Sequence, residues 1–209
     1  MSTPKPQIRI VFPTPICQHF LPVAAEANTE LKQIILDKFA TNGERPARKG
    51  WRSPPDLEQW GGAHVATLMR VVRELADGMT ATRAGARVSV DWRSEVSACV
   101  RNAGEKSVPS NARSAFWSGI YYVDDGYQKS DDEALGGECE LKDPRGAQAA
   151  AAAPQYAFRV PGGLTAGQTE RIRPNSGMII LHPAWLARSE RPFSGPAPRV
   201  TVEFDLFAR

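Results

Sequence analysis

The stretch Trp117-Ser-Gly-Ile-Tyr-Tyr-Val123 is a nearly continuous run of apolar, aromatic and β-branched residues. A run of this length is typical of a buried β-strand. An acidic loop follows it, from Asp124-Asp-Gly126 to Gly136-Gly137. Side chains alternate across a strand, so Tyr121 and Tyr122 must point to opposite faces and one phenol must face the interior. The sequence does not say which one.

Further strand patterns lie on both sides of this segment. A period of two starts at Val88, Val90 and Trp92. More strand candidates, separated by Gly, Pro and Asp turns, occur at about 95–101, 115–123, 137–142, 156–160, 169–173, 177–182 and 199–207. Many short strands of this kind indicate a β-sandwich or barrel.

The N-terminal part is predicted to hold one strand and two amphipathic helices. The strand is Ile8–Phe12, ended by Pro13 and Pro15. The two helical stripes are Leu31, Ile34, Ile35 and Phe39, then Val65, Leu68, Met69, Val72, Leu75 and Met79. Both stripes are expected to pack on a sheet, so the predicted class is α+β, mainly β.

Length and composition indicate one globular domain spanning residues 1–209, with the strand and helices in 1–86 and a β core in 87–209. The hydrophobic fraction of 42% and charged fraction of 23% are ordinary for such a domain. No apolar run could span a bilayer, and the first residues lack the apolar core of a secretory signal, so a cytoplasmic location is expected. Three cysteines without CxxC spacing argue against a disulfide framework or a cysteine zinc site.

The net charge of +3 is mild, and it does not single out a partner. The one dense basic cluster is Arg45, Arg48, Lys49 and Arg52 around Trp51. Nucleic-acid binding needs a concentrated basic face with interleaved aromatic residues. A solvated basic loop explains this cluster better, so a nucleic-acid partner is not expected.

Several motifs together resemble one family. They are Trp117–Val123, Asp143-Pro-Arg145, Gly177–Leu186 and Arg199-Val-Thr-Val-Glu-Phe204, with Phe12–Pro15 and Gly50–Ser53 as leading motifs. The family is the small bacterial and phage group of 2-oxoglutarate/Fe(II)-dependent oxygenases, with the pattern HxH, SGxYYV, DPR, WLxH and RxSxSF. The resemblance implies a double-stranded β-helix, a cupin-like jelly-roll, with both helices outside one sheet. It also implies Fe(II) and 2-oxoglutarate as cofactors.

The metal-ligand positions of that pattern read differently here. The family's His-x-His falls on Ser110-Asn-Ala112, and its later histidine falls on Arg188. A serine hydroxyl is a poor Fe(II) ligand, and alanine offers no lone pair. A guanidinium has no acceptor and stays charged, so it would repel the ion. The resemblance therefore predicts the family scaffold without the family's metal site.

A metal site built from other residues is a weaker alternative. It would join His182 to Glu138 and Glu140, which share one face of a strand. A packed, hydrogen-bonded histidine is the preferred interpretation of His182, because single histidines are often structural. Asp143-Pro-Arg145 is interpreted as a turn with an Asp–Arg contact.

An anion pocket is the remaining prediction. The resemblance implies that Arg199 is the arginine that pairs with the distal carboxylate of 2-oxoglutarate. Alternation puts Arg199, Thr201 and Glu203 on one face, which fits either a polar lumen or an exposed edge strand. With Arg188 and an inward tyrosine, Arg199 could hold a carboxylate without metal.

Two functions follow from these observations. The first is a non-catalytic member of the family that binds a small carboxylate or a protein partner. The second is an active 2-oxoglutarate/Fe(II) dioxygenase with a metal site outside the family pattern. Specificity would lie in the loops at about 43–55, 124–137 and 146–170, whose sequences do not name a substrate.

Overall fold

The structure is a computed structural model. It describes residues 7–22, 24–41, 50–105, 111–112, 114–146, 152–160, 163–165 and 169–209. Ser110 lies outside the described residues, as do Arg45, Arg48, Lys49 and residues 147–151 of the alanine-rich run.

Three α-helices, one 3₁₀ turn (Glu133–Leu135) and eleven strands make up the described fold. The helices are α1 (Ala24–Thr41), α2 (Leu57–Trp60) and α3 (Gly62–Met79). The strands are β1 (Cys17–Phe20), β2 (Trp51–Arg52), β3 (Trp92–Arg101), β4 (Trp117–Asp124), β5 (Cys139–Lys142), β6 (Phe158–Val160), β7 (Gly163–Thr165), β8 (Thr169–Ile172), β9 (Met178–Pro183), β10 (Arg188–Glu190) and β11 (Arg199–Ala208). The predicted helices at the two apolar stripes correspond to α1 and α3.

The strands form two facing sheets and a hairpin. The large sheet has the order β1-β9-β4-β11-β3-β2, the small sheet has the order β10-β5-β8, and β6 pairs with β7. Every one of these pairings is antiparallel. The opening stretch of the sequence is β4, which lies in the middle of the large sheet between β9 and β11.

Each face of the large sheet packs against a different layer. On one face, residues of β4, β9 and β11 pack with the buried stripes of α1 and α3. On the other face, Ile120, Tyr122 and Ile180 pack with Cys139 and Leu141 of the small sheet. The space between the two sheets is the lumen of a double-stranded β-helix, and the helices lie outside it.

Two strand predictions were wrong in position. Ile8–Phe12 is not paired in any sheet and is exposed, with Phe12 at 87%. The first strand is β1, after the two prolines, because only there does the chain run beside β9. The alternating residues Val88 and Val90 also lie before the strand, which begins at Trp92. Hydrogen bonds hold that segment against α3 instead, since Asp77 accepts from Val90 N and Trp92 Nε1.

Among the described residues, we find no helix with the length and apolarity needed to cross a lipid bilayer.

Candidate functional site

Strand β11 carries a buried polar face into the lumen. Arg199, Thr201 and Glu203 are only 1%, 1% and 6% exposed, and Val200, Val202 and Phe204 point to the helices. Because β11 pairs with β4 on one side and β3 on the other, it is not an edge strand. Of the two explanations left open by the alternation, the polar lumen is the correct one.

Glu203 is surrounded by three guanidinium groups. Arg101 Nη2 lies 2.9 Å from Glu203 Oε1, and Arg188 Nη2 lies 3.2 Å from Oε2. Arg52 donates a hydrogen bond to the same carboxylate. Burial alone would raise the pKa of Glu203, but Arg188, Arg101 and Arg52 hold it well below its ordinary value. Glu203 is therefore a fixed negative charge in the lumen.

Arg188 enters the lumen from β10. Its side chain is 11% exposed, and Glu203 is its ion-pair partner. Burial alone would lower the pKa of Arg188, but the attraction of Glu203 outweighs it and the pKa rises. The guanidinium therefore stays charged although little water reaches it.

Glu190 extends the network two residues further along β10. Its carboxylate accepts from Arg101 and from the Tyr122 hydroxyl, the latter at 3.2 Å, and lies 3.8 Å from Arg199 Nη1. Four guanidinium groups (Arg52, Arg101, Arg188 and Arg199) thus face two carboxylates (Glu190 and Glu203). Asp205 on the cavity wall is a third carboxyl group, so 4 − 3 leaves one positive charge in excess when all of them are ionised.

Arg199 is held by the acidic loop rather than exposed to the lumen space. Its Nε donates to Asp125 O at 3.0 Å and its Nη1 to Gly137 O at 2.6 Å. The Phe193 ring lies 4.2 Å from its guanidinium carbon. Gly137 has φ +80°, and a Cβ there would be 2.6 Å from Arg199 Nη2. The loop therefore crosses the arginine in a backbone conformation that favours glycine at this position.

The two tyrosines separate as alternation requires. Tyr122 faces the lumen, where burial raises its pKa well above the ordinary value. Tyr121 faces the helices and donates to Asn28 Oδ1 of α1 at 2.5 Å. Burial raises the pKa of Tyr121 to about 12. Of the two predicted binding residues, Tyr121 is therefore placed outside the lumen.

A cavity of about 110 Å³ opens beside the Arg188–Glu203 pair. Its wall is formed by Arg52, Asn111, Ala112, Ser118, Gly119, His182, Arg188, Glu203, Phe204 and Asp205. Ala112 and Arg188 occupy two of the three positions at which the resemblance implies histidines. The cavity thus lies where the resemblance would place the metal, and Arg199 is not part of its wall.

Three polar residues lie in one row across the large sheet at this cavity. Ser118 on β4 pairs with His182 on β9 and with Asp205 on β11. Burial raises the pKa of Asp205, although a hydrogen bond from the Ser118 hydroxyl opposes the shift. His182 is 1% exposed, with Nδ1 2.9 Å from Pro183 O. His182 is thus packed and hydrogen-bonded through Nδ1, as the sequence predicts, and its ring also lines the cavity.

The alternative metal site is not assembled. Cys139 and Leu141 point inward from β5, and Glu140 between them points to the opposite face. Glu138 pairs with Arg191 at 3.3 Å and Glu140 with Arg171 at 3.1 Å. Throughout the described part of the chain, no group of three His, Cys, Asp or Glu side chains is arranged to hold a metal ion.

The Asp143-Pro-Arg145 motif forms the turn that was expected. Arg145 Nη2 lies 2.5 Å from Asp143 Oδ2, and Arg145 N also donates to the Asp143 carboxylate. Since this ion pair is local and Arg145 is exposed, the motif shapes a turn rather than the cavity.

Sequence reasoning missed most of the charged network. The basic cluster predicts a solvated loop for Arg52, and the patterns do not single out Arg101 or Glu190. The only available signal was the alternation along β11, which put Glu203 beside Arg199. The partners come from β2, β3 and β10, which are distant in sequence and meet only in the fold.

Comparisons with known proteins agree on one family. The family model described as "Putative 2OG-Fe(II) oxygenase" matches residues 99–205. No curated protein matches the chain. Among solved structures, a prolyl-4-hydroxylase from Pseudomonas putida is 14% identical over 93% of this chain and 92% of its own, with a TM-score of 0.63.

Two other solved structures show the same fold. A prolyl hydroxylase from Trichoplax adhaerens, in complex with a hypoxia inducible factor peptide fragment, is 12% identical over 92% of this chain and 83% of its own, with a TM-score of 0.61. HygX from Streptomyces hygroscopicus, with nickel and 2-oxoglutarate bound, is 13% identical over 93% and 83%, with a TM-score of 0.57.

Proposed function

We propose that this chain, which belongs to the 2OG-Fe(II) oxygenase family, binds a small carboxylate in its lumen without Fe(II) and does not turn over 2-oxoglutarate. The observation that carries the proposal is Arg188, a buried cation on the cavity wall that is neutralised by Glu203 of the same chain.

The side chains at the cavity do not fit Fe(II). Enzymes of this chemistry hold the ion with two imidazoles and usually one carboxylate, and the resemblance implies histidines at three positions. Here the wall offers one imidazole, His182, and the carboxylates of Glu203 and Asp205. The Glu203 carboxylate already forms ion pairs with three guanidinium groups. Arg52 and Arg188 add fixed positive charge, which would oppose a dication at this place.

The guanidinium groups favour an anion instead. One net positive charge remains in the lumen when Asp205 is counted with the network. Coulombic attraction is stronger there than in bulk water because the site is largely buried. The Arg52 side chain is 52% exposed, so it can turn toward a ligand at low cost. A carboxylate that accepts from Arg188 and Arg52 would gain charge-assisted hydrogen bonds.

The contacts of Arg199 bear on which arginines bind. The Glu190 carboxylate and the Tyr122 hydroxyl lie beside it. Glu190 thus lies where the resemblance would place the distal carboxylate of 2-oxoglutarate. Because two backbone carbonyls also hold Arg199, we assign the ligand to Arg188 and Arg52, and we assign Arg199 to fixing the acidic loop.

Metal binding is the first test. Purified protein is titrated with Fe(II) under anaerobic conditions, with and without 2-oxoglutarate, and succinate is measured after oxygen is added. We expect no stoichiometric binding and no succinate. The variant Ser110→His/Ala112→His/Arg188→His is expected to gain Fe(II) binding. Tight binding by the unchanged protein, strengthened by 2-oxoglutarate, would show that it is an active dioxygenase.

Carboxylate binding is the second test. Calorimetric titrations with small carboxylates compare the unchanged protein with Arg188→Met and Arg52→Met. Loss of one charge-assisted hydrogen bond should weaken binding by about 1.5–3 kcal/mol for Arg188→Met. Arg171→Met is the matched control, because Arg171 is 60% exposed and pairs with Glu140 away from the cavity. Equal affinities in all four proteins would refute the proposed site.

A further inference from the structure

The protonation of His182 can be assigned from its contacts. Nδ1 lies 2.9 Å from Pro183 O, and a carbonyl oxygen can only accept, so Nδ1 carries the hydrogen. Burial, reinforced by Arg188, lowers the pKa of His182 to about 4, so the ring is neutral at pH 7. A neutral imidazole protonated at Nδ1 has a bare lone pair at Nε2.

That lone pair is buried and faces the cavity. Nε2 has no hydrogen-bond partner among the described residues, although His182 is 1% exposed and lines the wall. Ser118 is the residue paired with His182 on the neighbouring strand, and its hydroxyl donates to Asp205 instead. An unmet buried acceptor is costly, so the site favours a ligand that brings an N–H or O–H to this atom.

We propose that the cavity takes a small 2-hydroxycarboxylate, whose hydroxyl donates to His182 Nε2 while its carboxylate accepts from Arg188 and Arg52. The inference rests on the proposed carboxylate function and adds the second group of the ligand. A cavity of about 110 Å³ admits an acid of a few non-hydrogen atoms. Arg188 stands on the same wall as His182, and its charge disfavours the cationic ammonium of an amino acid beside that ring, so a neutral hydroxyl donor is preferred.

The proposal predicts a specific discrimination. A 2-oxo acid has the same skeleton and carboxylate, but it would place a carbonyl oxygen against the bare nitrogen. Two acceptors then face each other, and neither is satisfied. The cavity should therefore prefer lactate to pyruvate.

The experiment titrates the protein with L-lactate, D-lactate and pyruvate by calorimetry at pH 7. The better lactate enantiomer should bind roughly tenfold more tightly than pyruvate, the effect of one hydrogen bond to a buried acceptor. In parallel, ¹H–¹⁵N spectra of the imidazole should show an unprotonated Nε2 whose resonance shifts on addition of lactate and not of pyruvate.

His182→Phe keeps an aromatic ring and removes the acceptor. It should bind lactate and pyruvate equally, at about the affinity of the unchanged protein for pyruvate. His64→Phe is the control, because His64 pairs with Glu30 on the helices, away from the cavity. The comparison of the acids on unchanged protein stands even if His182→Phe folds poorly.

The outcomes separate this inference from the function on which it rests. Equal or tighter binding of pyruvate by the unchanged protein would overturn the 2-hydroxy assignment and leave the carboxylate function standing. Tighter binding of L-alanine than of lactate would overturn the charge argument. Failure of every acid to bind would overturn both proposals.

Discussion

Replacing Glu203 with glutamine should cost more stability than any other single change in the lumen. The substitution keeps the shape of the side chain and removes the charge that three guanidinium groups share. Arg52 is half exposed and can turn to water, and Arg101 keeps Glu190. Arg188 is the buried cation that loses its partner, since its ion pair is with Glu203. A buried charge left without a partner lowers the unfolding free energy by about 3–5 kcal/mol.

The reverse change, Arg188→Met, should be milder. Glu203 would keep Arg101 at 2.9 Å and Arg52, so its charge remains compensated. We expect a loss of about 1–2 kcal/mol, the low end for a broken charge-assisted contact. The double variant has no guanidinium group at position 188, so no buried charge there is left without a partner. The sum of the losses in unfolding free energy for the two single variants should therefore exceed the loss for the double variant by roughly 2 kcal/mol.

Urea unfolding at pH 7 measures these free energies, and unchanged m-values would show that the unfolded states are comparable. Glu140→Gln is the matched control, because its partner Arg171 is 60% exposed and such pairs contribute about 1 kcal/mol or less. A Glu203→Gln cost no greater than that of Glu140→Gln, or smaller than that of Arg188→Met, would refute the account of the network.

Three further predictions concern single residues. His182 has a pKa of about 4 in the folded protein, against an ordinary value of 6.5. As the pH falls below 6.5, the unfolded chain therefore binds a proton at this residue before the folded chain does. The contribution of His182 to the unfolding free energy should therefore fall by about 2 kcal/mol from pH 7 to 5, and His182→Phe should remove that contribution in urea titrations; an unchanged slope would contradict the assignment. Glu203 adds nothing in this range, because its stabilisation is lost only below its unfolded value of 4.5. Tyr121→Phe should lose about 1 kcal/mol with its bond to Asn28 and leave carboxylate affinity unchanged, whereas altered affinity would place it in the site. Gly137→Ala should lose about 1–3 kcal/mol in thermal or urea unfolding, because φ is +80° and the new Cβ would meet Arg199; a neutral result would mean that the acidic loop does not clamp the arginine.

Local pattern predicted the elements well where burial is regular along the chain. The apolar stripes of α1 and α3 and the run of β4 each record one or two buried faces, so period and composition reveal them. The run at Ile8–Phe12 failed because strand propensity gives no partner, and in the fold only the segment after the prolines pairs with β9. Short strands such as β2 and β10 carry too few residues to show a period.

The sequence by itself determined the family of the chain and the opposite faces of Tyr121 and Tyr122, and it led to the prediction that Ser110, Ala112 and Arg188 replace the family's histidines. Each of these depends on order along one chain segment or on a two-residue period. Only the tertiary structure decided that Tyr122 is the inward tyrosine, that Glu203 neutralises Arg188, and that His182 offers a bare nitrogen to the cavity. Those facts depend on contacts between strands far apart in sequence and on exclusion of water, and no local pattern encodes either.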